Sequence, residues 1–179
     1  MYRACFLVVV VAFQVFSLVA SQENNDVLDS FKVFENFPFG VAITDNDNDT
    51  IFECVTAKRA WLDMDSKKVE YVWLLKGPKG TPRKTIAFYA AEGNSPDTFL
   101  FMEGSDDAPP VVGKLYYSDY KTCAVIDMSH QSPRCILWAT ETSKDSLPQE
   151  CLDQFEKNCG VGIPVYTKDL CADSEVANW

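Results

Sequence analysis

His130 is the only histidine in the chain, and it sits between Ser129 and Pro133 in a stretch that reads as a turn. Any serine–histidine or cysteine–histidine mechanism would run through that one imidazole, because the nucleophile needs an adjacent base. Carboxylates are plentiful, 26 Asp and Glu against 16 Lys and Arg, yet no spacing singles out two of them as an acid–base pair. The chain is therefore not read as an enzyme. Asp45, Asp47 and Asp49 alternate like the opening of a calcium loop. The motif then fails, with Thr50 where glycine is required and Thr56 where a bidentate glutamate belongs, so the run reads as a solvated acidic turn. Cysteine is the other route to metal chemistry. No C-x-x-C pair occurs and imidazole is scarce, so no metal and no cofactor are expected.

The cysteines suit a different use. Cys5 lies in an N-terminal stretch where Arg3 is the one positive residue before an apolar run from Phe6 to Val19. The small residues Ala20 and Ser21 then precede the polar Gln22–Asp26. That order reads as a secretory signal peptide over residues 1–20, cleaved after Ala20 or Ser21. The apolar run is shorter than the ~20 residues a membrane-spanning helix needs. Residues 21–179 then form one domain with no linker, repeat or low-complexity tract. Its six cysteines, Cys54, Cys123, Cys135, Cys151, Cys159 and Cys171, are an even set in an oxidising compartment, as three disulfides require. Loss of Arg3 moves the formal net charge from −10 to −11. Nucleic acid and anionic membrane surfaces both want a basic patch, so neither is an expected partner. Asn48-Asp49-Thr50 is a glycosylation sequon, expected to carry a glycan that keeps Asn48 outside any pocket.

The elements that position these residues are short and extended. Phe37–Thr44, Thr50–Lys58, Lys68–Leu75, Lys84–Ala91, Asp97–Met102, Val111–Ser118, Thr122–Met128 and Arg134–Thr140 are rich in β-branched and aromatic residues and separated by breaker-rich turns. A short helix is expected near Asp26–Phe34. A second is expected after Pro148, ending at Gly160, with Cys151, Leu152, Phe155 and Cys159 on one stripe. Eight strands followed by an outer helix make an all-β fold on the lipocalin plan: an eight-stranded antiparallel barrel with room for one small ligand.

Register sharpens the picture. With a hairpin turn centred near Gln131, Cys123 stands opposite Ala139, four residues and ~13 Å from Cys135 on one face. Cys151 and Cys159 lie ~12 Å apart along one helix face. Among the fifteen pairings six cysteines allow, this geometry favours Cys123–Cys151 and Cys135–Cys159, leaving Cys54–Cys171. A one-residue change in the turn would undo it. In the same register Ile136 and Trp138 point into the barrel and Leu137 lies beneath the helix.

From Lys121 to Cys171 the chain resembles the tick salivary lipocalins of the histamine-binding protein family. The likeness rests on Cys123-Ala-Val-Ile126, Cys135-Ile-Leu-Trp-Ala-Thr140, Pro148-Gln-Glu-Cys-Leu-Asp-Gln-Phe155, Gly162-Ile-Pro-Val165 and Tyr166 through Cys171. Phe52-Glu-Cys-Val-Thr56 and Val69-Glu70 stand at matching separations. The resemblance implies a protein secreted into tick saliva that sequesters a small host inflammatory mediator and so helps evade host defence. Histamine and other biogenic amines are the best-known cargo, and relatives take lipid mediators such as leukotrienes. It also implies the bridges Cys123–Cys151 and Cys54–Cys171, with Cys135–Cys159 as an addition.

For the site, the resemblance matches Trp138 to a pocket tryptophan, Trp73 to a pocket aromatic and Asp45 to an acidic amine contact, with Phe99 and Phe101 near aromatic positions. It also exposes departures. Ile136 stands where an acid would pair with an amine, Ala42 and Asn48 replace aromatics, and Gly113 and Lys114 occupy a region where another acid is expected. A buried ammonium without a paired carboxylate costs several kcal/mol in desolvation. The substituted pocket thus suits a lipid mediator or an indole amine better than histamine, while the family resemblance favours histamine or another biogenic amine, with Glu70 and Glu103 as further acidic contacts whose facing is open. The expected partner is a small molecule and the expected state a monomer. The rival class is a protein-binding scaffold presenting loops such as Gly104–Pro110.

Overall fold

The computed structural model describes residues 27–49, 51–76, 84–128 and 134–172. The signal segment, His130 and the hairpin turn around Gln131 lie outside them. A helix α1 (Ser30–Asn36) leads into eight strands: β1 (Phe39–Asp45), β2 (Thr56–Asp63), β3 (Lys68–Leu75), β4 (Lys84–Glu92), β5 (Thr98–Glu103), β6 (Val111–Ser118), β7 (Cys123–Asp127) and β8 (Cys135–Thr140). Helix α2 (Gln149–Cys159) and a two-residue strand β9 (Ile163–Pro164) follow. Neighbours from β2 to β8 pair in sequence, β8 pairs with β1, and β1 pairs back onto β2, closing an antiparallel barrel. Strand β9 adds to the far end of β1. Among the described residues no helix is long and apolar enough to cross a membrane.

Local chemistry explains where the elements differ from expectation. Helix α1 begins later than Asp26 because Asp29 caps it, its carboxylate accepting from the N–H groups of Phe31 and Lys32. Strand β2 starts at Thr56, not Thr50. Residues 51–54 turn instead, and Cys54 holds φ 56°, a left-handed conformation outside any ladder. Leu152 does not share the buried stripe of α2. Cys151 and Phe155 are buried there, whereas Leu152, a third of a turn from Cys151, is exposed.

The β7–β8 hairpin has two faces with two jobs. Cys123 stands opposite Ala139 and Asp127 opposite Cys135. Ala124, Ile126, Ile136 and Trp138 join the barrel interior. Cys123, Val125, Cys135 and Leu137 form a second core with Val41, Ile43 and Phe155 beneath α2. Bridges Cys123–Cys151 and Cys135–Cys159 tie both ends of α2 to this hairpin. Cys54–Cys171 ties the C-terminal segment to the β1–β2 connection, and Lys76 Nζ beside it donates to the Leu170 carbonyl at 2.7 Å.

One end of the barrel is closed by α1. Ser30 N–H bonds the Pro96 carbonyl at 2.8 Å and Asp29 N–H bonds the Tyr120 hydroxyl at 2.9 Å, reaching the β4–β5 and β6–β7 connections. The last-turn carbonyls, which no helical N–H can satisfy, are met by side chains from β2 and β3. Arg59 Nη1 donates to the Phe34 and Glu35 carbonyls at 2.5 and 2.8 Å, and the Tyr71 hydroxyl donates to the Phe37 carbonyl at 2.6 Å.

The Cys54–Cys171 bridge spans 117 residues and Cys135–Cys159 spans 24. Loop-closure entropy then assigns the first about 5 kcal/mol and the second about 3.5 kcal/mol. Urea unfolding of the two double alanine variants should show the larger loss for Cys54→Ala/Cys171→Ala. Equal losses would contradict this entropic account.

Candidate ligand-binding site

Period-two alternation aims aromatic rings from four strands at the barrel axis. Trp73 of β3, Phe88 of β4, Phe99 and Phe101 of β5 and Trp138 of β8 meet there, joined by Phe34 from α1. Ring centroids lie 4.1 Å apart for Trp73–Phe88, 4.9 Å for Trp73–Trp138 and 5.2 Å for Phe34–Phe99. Together they wall an inner chamber of about 80 Å³ next to α1. Tyr71 is the polar side chain most deeply set in that wall. Burial raises its phenol above the ordinary tyrosine range, and its hydroxyl is committed to the Phe37 carbonyl. Gly113 is what lets Phe99 lie flat. A Cβ on Gly113, directly across the β5–β6 ladder, would sit 2.3 Å from that ring.

A larger chamber of about 1030 Å³ lies at the end away from α1. Trp73, Phe88, Phe101 and Met128 line both chambers and form the partition between them. Among the described residues, the charged ones lining this outer chamber are Lys84, Glu103 and Arg134. Glu103 shares the inward face because it stands opposite Phe88. Glu70 does not share it: paired with Tyr89, it hydrogen-bonds that phenol on the outside of the barrel.

Asp45 is fully buried, opposite Ile136 across the β1–β8 ladder. Its Oδ1 accepts from Asp47 N–H at 3.2 Å. Its Oδ2 has no hydrogen-bond donor among the described residues and faces Arg134 Nη1 at 3.6 Å. Burial pushes this carboxyl above its ordinary 3.8, opposed by the Asp47 N–H and the Arg134 charge. Arg134 Nη2 also pairs with Asp47 at 2.9 Å and with Asp49, whose carboxyl is held low by the Ile51 N–H and the guanidinium. The solvated turn expected of these aspartates therefore fails at Asp45, while Asp47 is half-buried and Asp49 exposed. All three converge on one arginine, and the deepest of them is sealed from water.

Of the residues singled out from sequence, Trp73, Trp138, Phe99 and Phe101 come together on the inner chamber. Ile136 is buried inside the barrel but lines neither chamber, and Asp45 lies behind Arg134. Asn48 is exposed on the β1–β2 connection. Phe34, Phe88, Phe52 and Arg134 were missed, whereas Glu103, a candidate acidic contact whose facing the residues left open, is on the inward face. Alternation along β4 and β5 carried a signal for Phe88 and Glu103, whereas Arg134 sits outside any strand and needed the fold. One group of potential metal ligands, Asp119, Cys123 and Cys151, is drawn together by a bridge. Its sulfurs are bonded to each other, and the carboxylate accepts the N–H groups of Lys121, Thr122 and Cys123.

The family model for tick histamine binding protein matches residues 18–173. No curated protein sequence matches the chain significantly. Among solved structures, Japanin from Rhipicephalus appendiculatus bound to cholesterol superposes with a TM-score of 0.55 at 15% identity, over 71% of this chain and 90% of that one. AM182 in its serotonin complex gives 0.55 at 13% identity, over 76% and 89%. The amine binding protein of Rhodnius prolixus, in its tryptamine complex, gives 0.51 at 12% identity, over 80% and 90%. At such identities the likeness is one of fold, the lipocalin barrel.

Two variants probe the site's construction. Gly113→Ala should displace the Phe99 ring and lower stability by about 1–3 kcal/mol, the usual cost of overpacking. Thermal unfolding with near-ultraviolet circular dichroism reads both effects. Asp45 has a raised folded-state pKa, so its contribution to stability is full below 3.8 and is lost as pH rises through the folded value. The stability of the natural protein relative to Asp45→Asn should therefore fall as pH rises above the ordinary carboxyl value of 3.8 in urea unfolding. An advantage that grows with pH would show that attraction to Arg134 outweighs desolvation.

Proposed function

Because the chain belongs to the tick histamine-binding protein family, we propose that it is a secreted lipocalin that sequesters a small host mediator by burial, without a chemical step. The observation that carries this reading is the pair of chambers joined across one aromatic partition. Apolar surface removed from water is worth roughly 25 cal/mol per Å², and a preformed aromatic wall loses little entropy in receiving a ligand. The walls suit a ligand with a hydrophobic body, its polar end in the outer chamber where Lys84, Glu103 and Arg134 stand. Ile136 and the covered Asp45 leave the inner chamber without a carboxylate among its described lining, which disfavours histamine there. A lipid mediator such as a leukotriene fits best, its chain against Trp73 and Trp138 and its carboxylate beside Lys84 and Arg134. A biogenic amine with a flat ring is the second reading. Inward-facing Glu103 favours it, as do the serotonin and tryptamine complexes of two structural neighbours.

Sequestration of an inflammatory mediator would serve evasion of host defence. The signal-like N-terminus and three bridges support secretion, with saliva the site the family suggests and Asn48 the place for a glycan. The protein is taken to act as a monomer.

Tryptophan-fluorescence titration of the mature protein with a leukotriene, serotonin and histamine tests this reading. Saturable quenching by the leukotriene is expected, weakened roughly tenfold, ~1.4 kcal/mol, in folded Trp73→Ala or Trp138→Ala. Saturation by serotonin alone would assign the amine class instead. Silence toward all three would overturn mediator scavenging.

A further inference from the structure

Three carboxylates and one aromatic face converge on a single cation beside the outer chamber. Arg134 contacts Asp45, Asp47 and Asp49, and its guanidinium carbon lies 4.4 Å from the centroid of the Phe52 ring. Carboxylates set against an aromatic face are the materials of an organic-cation site. Here the site is built into the fold. Asp45 is fully buried on the inward face, and its Oδ2 accepts no hydrogen bond among the described residues while facing the guanidinium. The arginine's own backbone is held beside it. Cys135 N–H donates to Asn46 Oδ1 at 2.9 Å, and Asn46 N–H donates to the Cys135 carbonyl at 3.2 Å. Arg134 and Phe52 line the outer chamber, whereas none of the three aspartates does. The guanidinium therefore stands between the chamber and the carboxylates.

We propose that Arg134 is a tethered cation that fills the barrel's own cation site and so sets the charge class of ligand the outer chamber accepts. With it in place, Lys84 and Arg134 outnumber Glu103 among the described residues of the chamber wall. An incoming ammonium meets a cation where carboxylates would otherwise receive it, while a neutral or anionic head group meets no such barrier. Arginine suits this role because it stays charged at every physiological pH and its planar fork serves two carboxylates while stacking on a ring. Without it, Phe52 and the three aspartates would face the chamber and take a small aryl-alkyl ammonium, its ring reaching Trp73, which packs 5.7 Å from Phe52.

The inference rests on the barrel being a ligand site, and its test separates the two. Tryptamine and its neutral counterpart tryptophol are titrated by calorimetry into the natural protein, Arg134→Gln, Arg134→Lys and Arg134→Gln/Asp45→Asn, with circular dichroism confirming each fold. Arg134→Gln should bind tryptamine roughly tenfold tighter, with tryptophol unchanged. Arg134→Lys, which keeps the tethered charge, should not gain, and the double variant should lose most of the gain. Should the glutamine variant fail to fold, Arg134→Met replaces it under the same criteria. Unchanged or weaker tryptamine binding, with tryptophol still bound, overturns the role of Arg134 alone. Binding of neither indole by any variant overturns this inference, and the ligand-site reading is then decided separately by the leukotriene titration.

Discussion

The register of the β7–β8 hairpin is the constraint on which the rest depends. Because side chains alternate across a strand, setting Cys123 opposite Ala139 commits every residue of both strands at once. Half of them build the barrel interior and half the bed beneath α2. A slip by one residue would turn Ile136 and Trp138 outward and draw Cys135 into the cavity. The two bridges to α2 guard against that slip, since both sulfurs must face the helix for the bridges to close. Ligand chamber and covalent brace are thus two expressions of one pairing.

Much of this was legible in the residues because it obeys short-range rules. Alternation and turn chemistry located eight strands, and cysteine spacing on a hairpin and a helix matched in ångströms before any coordinates. Trp138 could be placed because strand parity decides facing, whereas Trp73, Phe99 and Phe101 were reached through the family resemblance. What stayed hidden depends on contacts distant in the chain. Asp45 and Arg134 are 89 residues apart by number, and nothing local marks them as partners. The acidic run looked solvated because aspartates in a turn usually are; burial came from the β1–β8 ladder, which sets Ile136 across from Asp45. The displaced start of β2 has a similar origin, since the left-handed turn at Cys54 accompanies a bridge to a residue 117 positions away.

Polar groups are rationed along the barrel axis. At the α1 end, Arg59 and Tyr71 spend their donors on helix carbonyls, which leaves the inner chamber walled by rings and hydrocarbon. At the other end charge is admitted, and the guanidinium of Arg134 is shared among three carboxylates. Buried ionic groups are tolerated where each is answered by another, and removing one partner leaves the other costly. The resulting gradient, dry at one end and charged at the other, orients any amphipathic guest before specific contacts are made.

The plug formed by α1 has a kinetic meaning. Helix and connections are joined there by backbone and side-chain bonds from three sides, so the barrel is a blind well, not a tunnel. A guest leaves by the path it took in, passing Trp73, Phe88, Phe101 and Met128 in reverse. Residence time is then governed by how often those four side chains part, and a modest equilibrium affinity can still correspond to a long-lived complex. For any protein that works by holding a ligand, slow escape counts for as much as tight binding.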